Sequence, residues 1–175
     1  WINGGGMRDP QFIIFTGPMF GSKTTRMLAA IDRLRWQKRK CVAFKPKIDD
    51  RYGTNRITTH SGGSIEAYEI STGDELLEIY NERQDYDIIA VDEAFMIEGV
   101  ASALVTLFRM GKTIIVSSLQ LSSWGEPFEE MQEMMPWATK IEICPAVCPI
   151  TGKDAYYSFC KREQQDGILI GGAES

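Results

Sequence analysis

Lys23 and Thr24 stand near the end of FIIFTGPMFGSKTT, residues 12–25, and that setting gives them a chemistry. A short apolar run ends at Gly17. A loop follows, and then Ser22-Lys23-Thr24-Thr25 opens a stretch whose apolar residues recur at helical spacing. Strand, glycine loop, Lys-Thr and helix is the order of a phosphate-binding loop. Backbone N–H groups of such a loop converge on phosphate oxygens, and the helix N-terminus adds the positive end of its dipole. Lys23 can neutralise charge on β- and γ-phosphates, and the Thr24 hydroxyl can ligate magnesium. The usual spacing is G-x-x-x-x-G-K-[ST]. Here Gly17 is in place, but Ser22 precedes the lysine and the second glycine falls one place early, at Gly21.

Asp92-Glu93 follows the apolar residues IIAV. An acid at the end of a buried strand beside a phosphate loop holds magnesium, directly or through water. Glu93, the next carboxylate, is placed to take a proton from a nucleophile near the γ-phosphate. A third group is Asp49-Asp50-Arg51-Tyr52. An arginine carried by a loop can stabilise charge on the equatorial oxygens of a transferring phosphoryl group, although the cluster alone reads as a polar loop. Cys144, Cys148 and Cys160 form a late cysteine set, with Cys41 far upstream. A structural zinc needs four ligands, often as two close pairs. One C-x-x-x-C is a weak signal, and Cys41 reads as a buried thiol. His60, the only histidine, reads as a surface residue of a polar loop, and Met131, Met134 and Met135 as helix packing.

These residues need a frame. Gln11–Thr16 reads as a buried strand, followed from Thr24 by a helix with Met27, Ala30, Ile31 and Leu34 on one face. Arg33, Arg35, Lys38, Arg39 and Lys40 crowd its far end, where the dipole favours cations. Cys41–Phe44 reads as a strand ended by Pro46, and 47–63 as a long polar connection, a kind that usually carries function. Further strands are expected at Ile65–Ile70, Tyr86–Val91, Lys112–Ser118 and Lys140–Cys144. Helices are expected at Asp74–Asn81, Val100–Arg109 with Gly111 as its stop, and Pro127–Met135. Strands alternating with helices predict an α/β fold with a parallel sheet and ligands at the carboxyl ends of its strands. Gly17 and Asp92-Glu93 both fall at such ends.

Residues 1–6, WINGGG, precede Met7 and read as a tag or linker. Residues 7–143 read as one nucleotide-binding α/β domain, and 144–175, with its cysteines, turns and two short β-rich pieces, as a small appended β-domain. The 175 residues are 43% hydrophobic and 25% charged, enough for a real core. A net charge of −5 argues against a general nucleic-acid-binding surface. No apolar run is long enough to span a membrane and no signal peptide is seen, so no membrane partner is expected. Four cysteines without a framework pattern point to a cytoplasmic setting.

Taken together the motifs resemble type II thymidine kinase, a P-loop deoxynucleoside kinase with a zinc-bound lasso domain. The resemblance runs from Phe12 to the chain end. It is carried by GPMF at 17–20 followed by KTT, K-P at 45–46, D-x-R-Y at 49–52, T-H at 59–60, D-E-A at 92–94, E-P-F at 126–128 and I-G-G-A at 170–173. It implies a P-loop (RecA-like) parallel sheet flanked by helices, with a small C-terminal β-rich lasso/zinc-type domain, and ATP-dependent phosphorylation of the thymidine 5′-hydroxyl. Gly17, Pro18, Met19, Phe20, Gly21, Ser22, Lys23 and Thr24 would bind the triphosphate with Asp49, Asp92 and the position of Phe95. Thr24 and Asp92 would hold magnesium. Glu93 would be the base, with Arg51 and Lys23 completing the catalytic set. Met19, Leu119, Phe128 and Ser158 match positions around the nucleoside, and Leu169, Ile170, Gly171 and Gly172 match the lasso. The family is commonly a homotetramer.

Departures accompany the match. Ser22 replaces a glycine, and the family's D-E-[GA]-Q-F becomes Asp92-Glu93-Ala94-Phe95-Met96. The zinc ligand set is incomplete: from Cys148 the second position falls on Thr151, and Cys144 is the available substitute. That reads as a truncated or unusual lasso. Two other readings of the residues stay open: a P-loop ATPase in which Glu93 orients water, and a catalytically weakened nucleoside- or nucleotide-binding relative.

Overall fold

The computed structural model describes residues 9–18, 22–47, 56–58, 63–119, 121–122, 125–147 and 151–155. Its frame is a six-stranded parallel sheet. β1 (Phe12–Thr16), β2 (Cys41–Pro46), β5 (Tyr68–Ile70), β6 (Ile88–Asp92), β7 (Thr113–Ser118) and β8 (Lys140–Ile143) lie in the order β5-β2-β6-β7-β1-β8. β1 and β7 are buried along their whole length, and β6 up to Asp92. Strands covered on both faces read as continuous apolar runs rather than alternating ones, which is why FIIFT, IIAV and TIIV stand out in the sequence.

Helices cover the two faces unequally. Among the described residues α1 (Lys23–Arg35) lies alone on one face and buries Met27, Leu28 and Ile31 against Ile13, Phe15, Ala90 and Ile115. α2 (Gly73–Arg83), α3 (Val100–Arg109) and α4 (Glu129–Met134) cover the other, over Phe12, Ile14, Val91 and Val116. Met131 and Met134 of α4 are fully buried there. α2 starts on a Thr72 cap whose hydroxyl accepts from the Glu75 N–H, and it ends at Gln84 in the left-handed region.

Three expectations change. The strand expected over 65–70 is two strands. β4 (Ser64–Glu66) pairs antiparallel with β3 (Arg56–Thr58), and β5 joins β2, with Ala67 buried between them. β3 was hidden in the polar stretch because it carries one apolar residue, Ile57, which sits opposite Ile65 and is buried under α1. The stretch 140–144, expected as a last core strand, is an edge strand over Lys140–Ile143: among the described residues it pairs only with β1, and it leaves Ile141 and Ile143 42% and 51% exposed. The helix expected from Pro127 begins at Glu129 and passes at Met135 into a short 3-10 turn through Trp137. After Cys144, β9 (Ala146–Val147) and β10 (Asp154–Ala155) form a short antiparallel pair. Among the described residues no helix is long and apolar enough to cross a membrane.

The starts of α2 and α3 are joined by backbone. The Gly73 N–H donates to the Glu98 carbonyl at 2.8 Å, and a Cβ on Gly73 would stand 2.2 Å from the Gly99 oxygen. α4 adds a tie: the Glu130 Oε1 accepts from the Gly99 N–H at 2.6 Å, placing a carboxylate at the N-terminus of α3. Its Oε2 is buried without a hydrogen-bond partner among the described residues. Burial raises the Glu130 carboxyl above its ordinary value, helped by Glu133 and Glu129 and opposed by the N–H groups of Gly99 and Ala101. A carboxyl raised on folding contributes stability below its unfolded pKa, and that contribution is lost as pH rises through the folded value. Thermal midpoints of the wild type should therefore fall relative to Glu130→Gln as pH is raised from about 4 to about 7. Parallel melting curves across that range would remove Glu130 from the linkage.

Candidate functional site

Because the strands are parallel, the ends of β1, β6 and β7 open on the same side of the sheet, and the chemistry-bearing residues gather there. The loop after β1 begins at Gly17 with φ +143°, a conformation that L side chains rarely adopt. A Cβ there would also stand 2.2 Å from the Cys144 carbonyl oxygen. The Cys144 N–H donates to the Thr16 carbonyl at 2.7 Å, so the chain leaving β8 forms the floor of the loop. Lys23, at the start of α1, donates from Nζ to the Pro18 carbonyl at 2.5 Å. The next residue crosses to the neighbouring motif: the Thr24 Oγ1 donates to the Asp92 Oδ1 at 3.1 Å.

Asp92, Glu93 and Lys23 stand together there, Asp92 and Lys23 half-buried and Glu93 exposed. Burial lowers the Lys23 ammonium, against the opposing pull of Cys144, Asp92 and Glu93. Burial raises Asp92, against hydrogen bonds from the Thr24 and Ser117 hydroxyls. Glu93 is pushed up to about 7 by burial and by the neighbouring Asp92 charge, with Lys23 and Lys45 opposing. Its backbone is left-handed, at φ 50°, ψ 46°. A carboxylate that exchanges its proton near neutrality suits acid–base work. A lysine, a threonine hydroxyl and an aspartate at a loop-to-helix junction suit a polyphosphate and its metal.

The turn after Glu93 forms a second wall. It is a 3-10 turn over Ala94–Met96, with the Met96 N–H donating to the Glu93 carbonyl at 3.1 Å. The Phe95 ring, at a position expected to serve ATP, lies against Phe128, one of the residues expected around the nucleoside; their centroids are 4.7 Å apart and the planes tilted by 35°. Leu119 follows β7 directly and is half-buried, and its carbonyl accepts from the Ser118 hydroxyl. Sequence reasoning missed Ser117 and Ser118. Both are 1% exposed. The signal was available, since two hydroxyl residues end an otherwise apolar strand, TIIVSS, on its ligand side.

Gly17, Pro18, Ser22, Lys23, Thr24, Asp92, Glu93, Phe95, Leu119, Phe128 and Cys144 are thus placed. Met19, Phe20 and Gly21, the cluster at 49–52 with Asp49 and Arg51, His60, Cys148, Cys160, Ser158 and the segment 169–172 lie outside the described residues. Cys144, weighed as a zinc ligand, is buried under the phosphate loop near Arg26 and Lys23, and the described residues hold no cluster of three or more His, Cys, Asp or Glu able to bind a metal. Cys41 keeps its thiol form, with burial pushing it up to about 12.

Comparison with known proteins gives a consistent result. A family model described as thymidine kinase matches residues 10–175. A thymidine kinase of Thermococcus kodakarensis is 35% identical over 175 residues, covering 93% of this chain and 87% of the relative. One from Pyrobaculum aerophilum is 33% identical over 173 residues, covering 94% and 93%.

The Gly17 geometry is directly testable. Gly17→Ala must relieve both a strained φ and a clash with backbone. It should lower stability by about 1–3 kcal/mol and weaken nucleotide binding, read by thermal melting with and without ATP. A variant with wild-type melting and an unchanged ATP-induced shift would show that the loop does not need this close approach.

Proposed function

The chain belongs to the thymidine kinase family and is a phosphotransferase that phosphorylates thymidine; from that premise we propose that the γ-phosphoryl group of ATP passes to the thymidine 5′-hydroxyl at the ends of β1 and β6. The observation that carries this reading is Glu93, with its pKa near neutrality, next to the Thr24–Asp92 pair and Lys23. Glu93 takes the proton of the 5′-hydroxyl. The 5′-oxygen bonds to the γ-phosphorus as the bond from phosphorus to the β–γ bridging oxygen breaks, and ADP leaves with that electron pair.

The loop from Gly17 to Thr24 cradles the triphosphate, and Lys23 meets the charge on its terminal oxygens. The Thr24 hydroxyl and Asp92 carboxylate, hydrogen-bonded to each other, are a donor set that fits magnesium and would hold it. When bound, that ion neutralises charge on the β- and γ-phosphates. Arg51 adds positive charge at the transferring group. Phe95, Phe128 and Leu119 supply an apolar wall suited to a pyrimidine nucleoside, and Met19, Ser158 and Leu169 to Gly172 complete the acceptor pocket. The protein acts as a homo-oligomer, a tetramer by resemblance, and free thiols at Cys41 and Cys144 support a cytoplasmic setting.

The test is a coupled assay for ADP. Thymidine-dependent ADP formation is expected. Turnover that ignores thymidine would favour an ATPase, and tight binding without turnover a non-catalytic relative. Glu93→Gln should lower kcat by about 10²–10⁴-fold while leaving the ATP-induced thermal shift in place. In the wild type kcat/KM should rise with pH through about 7, as the raised Glu93 carboxyl loses its proton and becomes able to accept one. That limb should vanish in the glutamine variant, and an unchanged profile would mean another group is the base.

A further inference from the structure

Ser118 ends β7 one residue beyond the partner of Asp92, since Asp92 pairs with Ser117 across β6 and β7. It is 1% exposed, and its hydroxyl makes two bonds. The Oγ accepts from the Phe95 N–H at 3.0 Å and donates to the Leu119 carbonyl at 3.0 Å. The bonds within the turn leave Phe95 to this partner: the Met96 N–H donates to the Glu93 carbonyl and the Ile97 N–H to the Ala94 carbonyl, each at 3.1 Å. One hydroxyl therefore links the turn that follows Glu93, the backbone of Leu119, and through the Phe95 ring the face of Phe128.

We propose that Ser118 is a positioning residue for the acceptor nucleoside, holding the Glu93–Phe95 turn in register with Leu119 and Phe128. The inference rests on the reading above, in which those three side chains face the nucleoside. The chain from Asp92 into the turn passes through a left-handed Glu93, a conformation a non-glycine residue holds only when its surroundings enforce it. The described contacts supply such an enforcement from β7: a 3.0 Å, partly buried bond from the second residue after Glu93 to the buried Ser118 hydroxyl. Loss of that bond lets Phe95 shift relative to Phe128 and misplaces the 5′-hydroxyl against the base. The phosphate loop, held by Cys144 and Asp92 from other strands, is untouched. The effect should fall on the acceptor and not on ATP.

The experiment compares Ser118→Thr with Ser118→Val. Threonine and valine have the same shape, so overpacking by the added methyl affects both, and their difference reads the hydroxyl alone. Ser118→Val should raise the KM for thymidine about 10-fold and lower kcat, with the KM for ATP within about 2-fold of wild type. Ser118→Thr should stay near wild type. Amide hydrogen exchange, which needs no turnover, should be faster at Phe95 in the valine variant than in the threonine variant. Equal thymidine KM values in the two variants, or equal exchange at Phe95, would overturn the assignment, as would a parallel rise in both KM values. A wild-type protein that makes no ADP in response to thymidine would instead sink the functional reading, while the exchange comparison would still decide whether Ser118 holds the turn.

Discussion

Two carboxylates and one ammonium share the strand ends, Asp92 and Lys23 half-buried and Glu93 exposed, and the arrangement there follows from how that charge is held. Burial alone would drive all three groups toward neutrality. Burial lowers Lys23 against the pull of Cys144 and the two acids, and it raises both carboxyls, Asp92 against hydrogen bonds from the Thr24 and Ser117 hydroxyls and Glu93 against the charges of Lys23 and Lys45. Asp92, with two hydroxyl partners, suits a fixed charge. Glu93, raised beside it, suits a group that changes charge.

The sheet order explains why α1 has to deliver the partner of Asp92. β6 and β1 are not neighbours; β7 runs between them. Strands two positions apart lie roughly 9–10 Å from each other, too far for the end of β1 to reach Asp92 directly. α1 packs over β1 and β7, and its first turn carries Thr24 across the gap, while Ser117 reaches Asp92 from β7 itself. The opposite face of the same strand ends has another task. There Ser118 meets the Phe95 turn and α4 brings Phe128 against it. Alternation along β7 thus gives one hydroxyl to the phosphate side and the next to the acceptor side.

Much of this was legible in the sequence because the sheet is buried on both faces. Apolar runs marked β1, β6 and β7, and a glycine loop with Lys-Thr and an Asp-Glu at strand ends marked the phosphate site. Two kinds of feature were not legible. β3 was invisible because a short hairpin strand with a single buried isoleucine has no periodicity to detect. The part Cys144 takes in the loop floor was not legible either, because its backbone meets Gly17, and a close approach of main chains leaves no mark on side-chain spacing. Phe95 sat in a motif otherwise concerned with phosphates, and only the placement of Phe128 shows where its ring goes.

The position of β1 has a consequence for the chain as it is being made. β1 is the first of the described strands, yet both of its neighbours, β7 and β8, come from the far end of the described sheet: Phe12 pairs with Ile114, and Ile13 with Lys140. Strand pairs of such long separation form late, because the intervening chain must first be ordered. On a ribosome the residues of the phosphate loop emerge early and must wait, apolar β1 included, until residue 144 arrives to seat Gly17. The floor under Gly17 therefore forms only after the chain has passed β8, and until then the apolar FIIFT segment lacks both of its sheet neighbours.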